Sequence, residues 1–213
     1  MVRLLVMGFP KIFRKLYFLR RFSSARIPTR VGEFTAHSYR NNFNNEGNIA
    51  LVLGDVTDID TPLVRVHSEC LTGDLIGSLR CDCGSQLQVS LEMIGEEGVG
   101  ILIYLRGHEG RGIGLGKKLR AYNLQDQGMD TVDANLEQGL PVDSRDYYFA
   151  AEILQDLGVS KIRLLTNNPK KKSELEDEGI DVVSRVPLEI APTEENKRYL
   201  ETKKTRLGHI LNN

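Results

Sequence analysis

The chain has 213 residues, 40% of them hydrophobic, which is enough for one well-buried domain and short for two. Its 28 Lys and Arg against 29 Asp and Glu leave a formal net charge of -1, so nothing in the whole-chain charge points to nucleic acid or an anionic membrane. No apolar run approaches the roughly 20 residues needed to span a bilayer, which argues against a membrane protein.

Charge is unevenly placed. Residues 1–32 hold eight Lys or Arg and no acid, with Phe, Leu and Tyr interspersed through KIFRKLYFLRRFSSAR. A stretch this basic and acid-poor reads as an organelle transit peptide or as an unstructured basic tail. We assign residues 1–26 to this extension, with residues 1 to about 25 expected to be dispensable for folding, and 27–213 to one domain. The expected location is the cytoplasm, or an organelle if the extension targets one.

The runs IALVLGDV (49–56) and LVRVH (63–67) are patterned as strands and read as hairpin-connected across a turn rich in Asp, Thr and Pro. All three cysteines follow within fourteen residues: Cys70 just beyond the second strand, then Cys81 and Cys83. An odd count argues against a disulfide framework. Three thiolates without a fourth partner are the ligand set of a catalytic zinc, which keeps one position open, rather than of a closed structural site.

Leu87, Leu91 and Ile94 recur at helical spacing and Gly95 and Gly98 end that helix, which places Cys83 just before its N-terminus, where the dipole favours thiolate. The apolar strand VGILIYL (99–105) leads into RGHEGRGIGLG (106–116), a glycine-rich turn with Arg106 and Arg111 that enters a helix over 115–127, with Leu115, Leu119 and Tyr122 on one side. Asp143 or Ser144 is read as the cap of the next helix, whose buried stripe is Tyr148, Ala151 and Leu154 or Leu157 and which ends at Gly158. Strand KIRLLT (161–166), loop NNPKK, a helix ending at Gly179, strand IDVVSRV (180–186) and a basic C-terminal helix complete the chain. The alternation predicts an α/β fold, a layered single domain with a mixed β-sheet flanked by helices. Two polar, basic loops at strand ends favour a polyphosphate ligand with Mg²⁺ as charge neutraliser.

Taken together, RVHSECLTGD, LRCDCGSQL, RGHEGRGIGLGKKLRAYNLQDQG, DTVDAN, PVDSRDY, LLTNNPKK and YLETKKTRLGH resemble GTP cyclohydrolase II from about Ile27 to Leu211. The resemblance implies zinc-dependent hydrolysis of GTP to 2,5-diamino-6-ribosylamino-pyrimidinone 5'-phosphate, formate and pyrophosphate, the first step of riboflavin biosynthesis. It implies one Zn²⁺ per subunit held by Cys70, Cys81 and Cys83, and Mg²⁺ accompanying the GTP phosphates. The nucleotide site carried over by position comprises the segment Arg65, Val66, His67, Ser68 and Glu69, together with Gln86, Glu109, Gly110, Arg111, Thr131, Thr166 and Lys171.

The same resemblance makes Asp143 a proton acceptor, Arg145 a nucleophile toward the α-phosphate and Tyr122 a group near the guanine ring. An arginine that stays protonated is a poor nucleophile, so stabilising phosphoryl charge is the ordinary chemistry for Arg145. A homodimer, with neither nucleic acid nor membrane as partner, is carried over as well. The sequence departs from some relatives in reading RGHEGRGIG where others read RQEGRNIG, and His108 in that turn is given no role. It also lacks the dihydroxybutanone-phosphate synthase domain fused to many relatives, so a single activity is expected. The rival readings are a non-enzymatic nucleotide-binding protein stapled by zinc and a variant that does not release formate.

Overall fold

The computed structural model describes residues 19–41 and 47–211. Its framework is a single seven-stranded mixed sheet in the order β1-β2-β3-β5-β4-β6-β7. β1 (Leu19–Thr29), β2 (Gly32–Asn41) and β3 (Asn48–Leu53) form an antiparallel meander, and β3 runs antiparallel to β5 (Gly100–Leu105). β4 (Leu63–Ser68), β6 (Lys161–Leu165) and β7 (Asp181–Val186) join β5 in a parallel set.

Alternation along the strands sorts the core into two layers. Val64 and Val66 of β4 and Ile101, Ile103 and Leu105 of β5 face Ala150, Ile153 and Leu154 of α6 (Tyr148–Asp156) and Leu175 of α7 (Pro169–Asp177). Leu63 and Leu102 point the other way, against Ile94, Leu87 and Leu91 of α2 (Cys83–Glu97). The same alternation turns Arg65 and His67 of β4 toward the α2 side. β4 is therefore central, with β5 on one side and β6 on the other. The chain leaves β4 through α2 on one face toward β5 and leaves β6 through α7 on the other face toward β7, which makes the β4–β6 neighbourhood the switch point outside whose strand ends α/β sheets hold ligands.

Several expectations change. Residues 19–26 belong to β1 and pair with β2, so the boundary expected at 26 falls inside a strand, whereas residues 1–18 lie outside the described residues. β1 is exposed along almost its whole length and carries no apolar alternation to announce it. Arg21 fastens this strand to the α6 end by pairing with Asp156 at 2.6 Å. β3 and β4 are not a hairpin, because β5 inserts between them.

In α4 (Leu115–Asp126), Leu115 and Leu119 are 38% and 47% exposed, while Lys118, at 7%, faces inward with Ala121. Tyr147 rather than Asp143 or Ser144 precedes the first turn of α6. Three four-residue helices, α1 (Leu71–Asp74), α3 (Glu109–Gly112) and α5 (Asp133–Leu136), and the C-terminal α8 (Lys197–Leu207) complete the fold. Among the described residues no helix is long and apolar enough to cross a membrane.

Candidate active site and metal centre

β4 ends at Ser68, and the chain turns at once into α1, placing Cys70 under the start of α2, which carries Cys83 as its first residue. The three sulfur atoms lie within 4.8 Å of one another, and Cys70 Sγ and Cys81 Sγ are 3.7 Å apart. Thiolates at about 2.3 Å from a tetrahedral zinc sit about 3.8 Å from each other, so the donor set fits that ion. Gly73 makes the approach possible. A Cβ there would lie 2.9 Å from Cys81 Sγ and 3.1 Å from Cys70 Sγ, and one on Gly84 would lie 2.3 Å from the Gly73 carbonyl oxygen.

The cluster is anchored from behind. Asp74 accepts the Cys70 N–H at 2.9 Å and the Tyr104 hydroxyl at 2.9 Å, and both its oxygens stand 3.0 Å from His67 Nε2. Burial lowers the His67 pKa, so the neutral ring donates to the carboxylate. Lys118 Nζ reaches Cys70 Sγ at 3.1 Å, Thr72 Oγ1 at 2.7 Å and Glu109 Oε1 at 2.5 Å. Glu109 also accepts the Leu71 N–H at 2.6 Å, tying the glycine-rich turn to α1.

Hydrogen bonds from Cys81 and Cys83, helped by the Lys118 ammonium, hold Cys70 far below the ordinary thiol pKa. The Cys70 thiolate in turn pushes Cys81 up to about 11 and Cys83 well above its ordinary value. A dication bound by these sulfurs would deprotonate the thiols it coordinates.

A pocket opens over these sulfurs. Its walls include Ser68, Glu69, Gly110, Arg111, Tyr122, Thr131 and Arg145 from the predicted site, together with His108, Gln125, Asn135 and Tyr199. Burial pushes the Tyr122 phenol to about 12, so it keeps its proton. Glu69 is held by the Gly107 N–H at 2.8 Å. The His108 ring nitrogens lie outside the sulfur cluster. Its Nδ1 is 3.1 Å from Ser68 Oγ, and burial depresses its pKa to about 3.

The second pocket adjoins the first through Ser68, Cys83, Arg111, Arg145 and Tyr199, which line both. Here the predicted Arg65, His67, Gln86, Thr166 and Lys171 converge with Lys203 and His209. Arg65 donates to the Leu165 carbonyl at 2.9 Å and to Gln86 Oε1 at 2.7 Å, while its buried Nε has no partner. Lys171 is 4% exposed rather than facing water, and it donates to the Val66 carbonyl at 2.6 Å. Burial, then Arg65, Arg145 and Lys203, hold its pKa well below the ordinary lysine value. Asn168 accepts the Lys170 N–H to start α7, and Pro169 opens its first turn.

Arg145 stands at the junction. It grips Asp143 with Nε at 3.0 Å and Nη2 at 2.6 Å. Burial alone would raise the Asp143 carboxyl, but the guanidinium brings it down to about 2. Asp143 therefore holds Arg145 in place and is a weak base. Gly110 and Arg111 both adopt left-handed backbone, at φ 59 and 65, which turns Arg111 into the site with a buried Nη2 that finds no partner. Of the remaining predicted residues, Val66 supplies only a carbonyl, and Glu109 and Asp143 stand behind the groups they orient.

Sequence reasoning missed Lys118, Asp74, Asp82, Tyr199, Lys203 and His209. Lys203 and Asp82 pair at 2.5 Å and are both buried, Lys203 within α8 and Asp82 just before α2 between two of the cysteines.

A family model described as GTP cyclohydrolase II matches residues 20–187. The bifunctional riboflavin biosynthesis protein RIBA 1, chloroplastic, of Arabidopsis thaliana is 59% identical over 90% of this chain and 35% of its own length. The monofunctional riboflavin biosynthesis protein RIBA 3, chloroplastic, of the same plant is 56% identical over 90% of this chain and 38% of its own. RibBA of Salinispora tropica is 57% identical over 89% and 47%. The chain thus spans half or less of the length of these curated relatives. Because the family model matches most of the chain, including the three clustered cysteines and most of both pocket walls, this chain belongs to the GTP cyclohydrolase II family of enzymes.

Proposed function

We propose that the chain hydrolyses GTP to 2,5-diamino-6-ribosylamino-pyrimidinone 5'-phosphate, formate and pyrophosphate, the entry reaction of riboflavin biosynthesis. The observation that carries this reading is a cluster of three cysteine sulfurs whose pocket shares a wall with a second pocket lined, among the described residues, by five Lys and Arg side chains and no carboxylate. A zinc ion held by Cys70, Cys81 and Cys83 supplies a Lewis acid that lowers the pKa of water from about 15.7 to about 7.

The chain's own residues do the rest. The purine lies in the pocket over the sulfurs, between Tyr122 and the polar groups of Gln125, Thr131 and Asn135. Tyr122, protonated at neutral pH, donates a proton as the imidazole ring opens. Two waters are consumed at the imidazole carbon, which leaves as formate, and one at the phosphoanhydride, which leaves as pyrophosphate. Arg65, Lys171 and Lys203 hold the outer phosphates, and Arg111 and Arg145 at the shared wall stabilise charge at the α-phosphate. With no carboxylate in that wall, Mg²⁺ arrives bound to the nucleotide rather than held by the protein.

A second copy of the chain is the partner we assign, with the exposed Leu75, Ile76 and Leu79 between Cys70 and Cys81 and the exposed Leu115 and Leu119 of α4 as the apolar side chains it would cover. The basic residues before β1 are read as organelle-targeting, in keeping with the chloroplastic names of the plant relatives.

A proton and phosphorus NMR time course of zinc-loaded protein with GTP and Mg²⁺ tests the reading. Formate and pyrophosphate in equal amounts are expected. Pyrophosphate without formate replaces it with a truncated reaction, and GTP bound but unchanged replaces it with a binding protein.

A further inference from the structure

The cation-lined pocket has one wall that lies beyond the matched family segment, which ends at residue 187. α8 and the residues after it bring Tyr199, Lys203 and His209 to this wall. α8 is fixed to the rest of the site by two contacts. Lys203 Nζ donates to Asp82 at 2.5 Å, and the Tyr199 ring carries the Arg111 guanidinium at 5.8 Å, while within the helix the same ring carries the Lys203 ammonium at 4.7 Å.

Gly208, at φ 67, ends the helix in left-handed backbone and folds the chain back. The His209 N–H then donates to the Lys203 carbonyl at 3.0 Å and the Ile210 N–H to the Asn167 carbonyl at 2.8 Å, which holds the His209 imidazole at the pocket. Lys203 of α8, Arg145 from the loop before α6 and Lys171 of α7 line the same pocket as that imidazole, and their fields, with that of Asp82 ahead of α2, reach it. Asp82 is already taken by Lys203 and by the Gln86 amide at 2.6 Å. The ring therefore stands among three cations with no free anion, and burial together with those cations depresses its pKa to about 3. Such an environment suits a bound anion.

We propose that the C-terminal segment completes the polyphosphate site, with Lys203 and His209 donating hydrogen bonds to phosphate oxygens. This rests on the reading that the pocket receives the triphosphate of GTP. A polyanion cancels the field of Lys203, Arg145 and Lys171, so His209 takes up a proton as the ligand binds and becomes a second ring donor.

The test is calorimetric binding of inorganic tripolyphosphate and, separately, guanosine to the zinc-loaded full chain and its His209→Gln variant at pH 7. Each titration is run in two buffers of different ionisation enthalpy. Tripolyphosphate binding is expected to weaken about tenfold in His209→Gln, with reduced proton uptake and unchanged guanosine affinity. His209→Asn, with a melting curve for both variants, guards against misfolding. Unchanged tripolyphosphate affinity and proton uptake in both folded variants overturn the proposal, even if GTP is hydrolysed as proposed. Conversely, a His209-dependent tripolyphosphate site in a protein that makes no formate supports it while removing the cyclohydrolase reading.

Discussion

Gly73→Ala is the sharpest perturbation of the metal centre, because it changes no ligand. The added Cβ would stand 2.9 Å from Cys81 Sγ, 3.0 Å from Cys83 Cβ and 3.1 Å from Cys70 Sγ. Ordinary contact lies near 3.6 Å, so α1 must withdraw by about 0.7 Å, several times the ~0.2 Å tolerance of a zinc–thiolate distance. Gly84 leaves α1 no freedom to slide the other way, since its own Cα faces the Gly73 carbonyl. Overpacking of this kind costs about 1–3 kcal/mol. We expect zinc affinity in a chelator competition to fall at least about 100-fold, or about 2.7 kcal/mol. Gly116→Ala is the matched control. Its Cβ meets nothing within 4 Å in α4, so zinc affinity should hold and stability rise by up to about 1 kcal/mol. Wild-type zinc affinity in Gly73→Ala would refute the claim that the three sulfurs form one rigid, glycine-gated site.

Lys118→Met removes the ammonium from Cys70 Sγ and leaves Glu109 buried without its partner, so zinc affinity should drop about 10-fold to 100-fold by the same competition. Asp143 has its pKa depressed to about 2 from 3.8, so its pairing with Arg145 stabilises the fold above pH 3.8, by about 2 kcal/mol, and that contribution is lost as pH falls through 2. Urea midpoints of wild type and Asp143→Asn should therefore differ at pH 7 and converge toward pH 2. The rate above pH 4 should show no inflexion from this group, and one that vanished in Asp143→Asn would restore it as the titrating base. If the chain dimerises through this side as proposed, Leu119→Glu places a charge on the exposed side of α4 and should halve the mass measured by light scattering, whereas an unchanged mass would remove Leu119 from the proposed interface.

How much of this was legible depends on whether the signal was local. The cysteine cluster was, since three cysteines within fourteen residues are too many for one disulfide and their sulfurs do converge. α2 announced itself by apolar spacing and by the left-handed Gly98 that caps it. β1 was hidden because neither of its faces is buried, leaving no alternation to read. The insertion of β5 between β3 and β4 was hidden because strand order is set by long-range pairing, not by the turn that follows a strand. α4 misled for a different reason. Its apolar stripe is on the outside and a lysine points in, an arrangement that makes sense only once Cys70 and Glu109 are known to wait there. Asp143 has the composition of a helix cap, yet its carboxylate is occupied by Arg145.

The distribution of charge in the second pocket argues that it exists for a ligand rather than for the fold. Of its five cations, Arg145 and Lys203 have carboxylates behind them in Asp143 and Asp82. The partners of Arg65 and Lys171 are backbone carbonyls and an amide oxygen, and Arg111 has an aromatic ring at 5.8 Å and a bare Nη2. Burying a cation without a counter-ion is destabilising, and burying several together adds their mutual repulsion. Arg65 records the strain in a pKa drawn down to about 10. Apolar residues in these places would serve the core better. Their positive charge is accounted for when a polyanion enters. Because Arg111 and Arg145 also line the pocket over the sulfurs, a polyphosphate lying there carries the rest of its molecule to the metal centre.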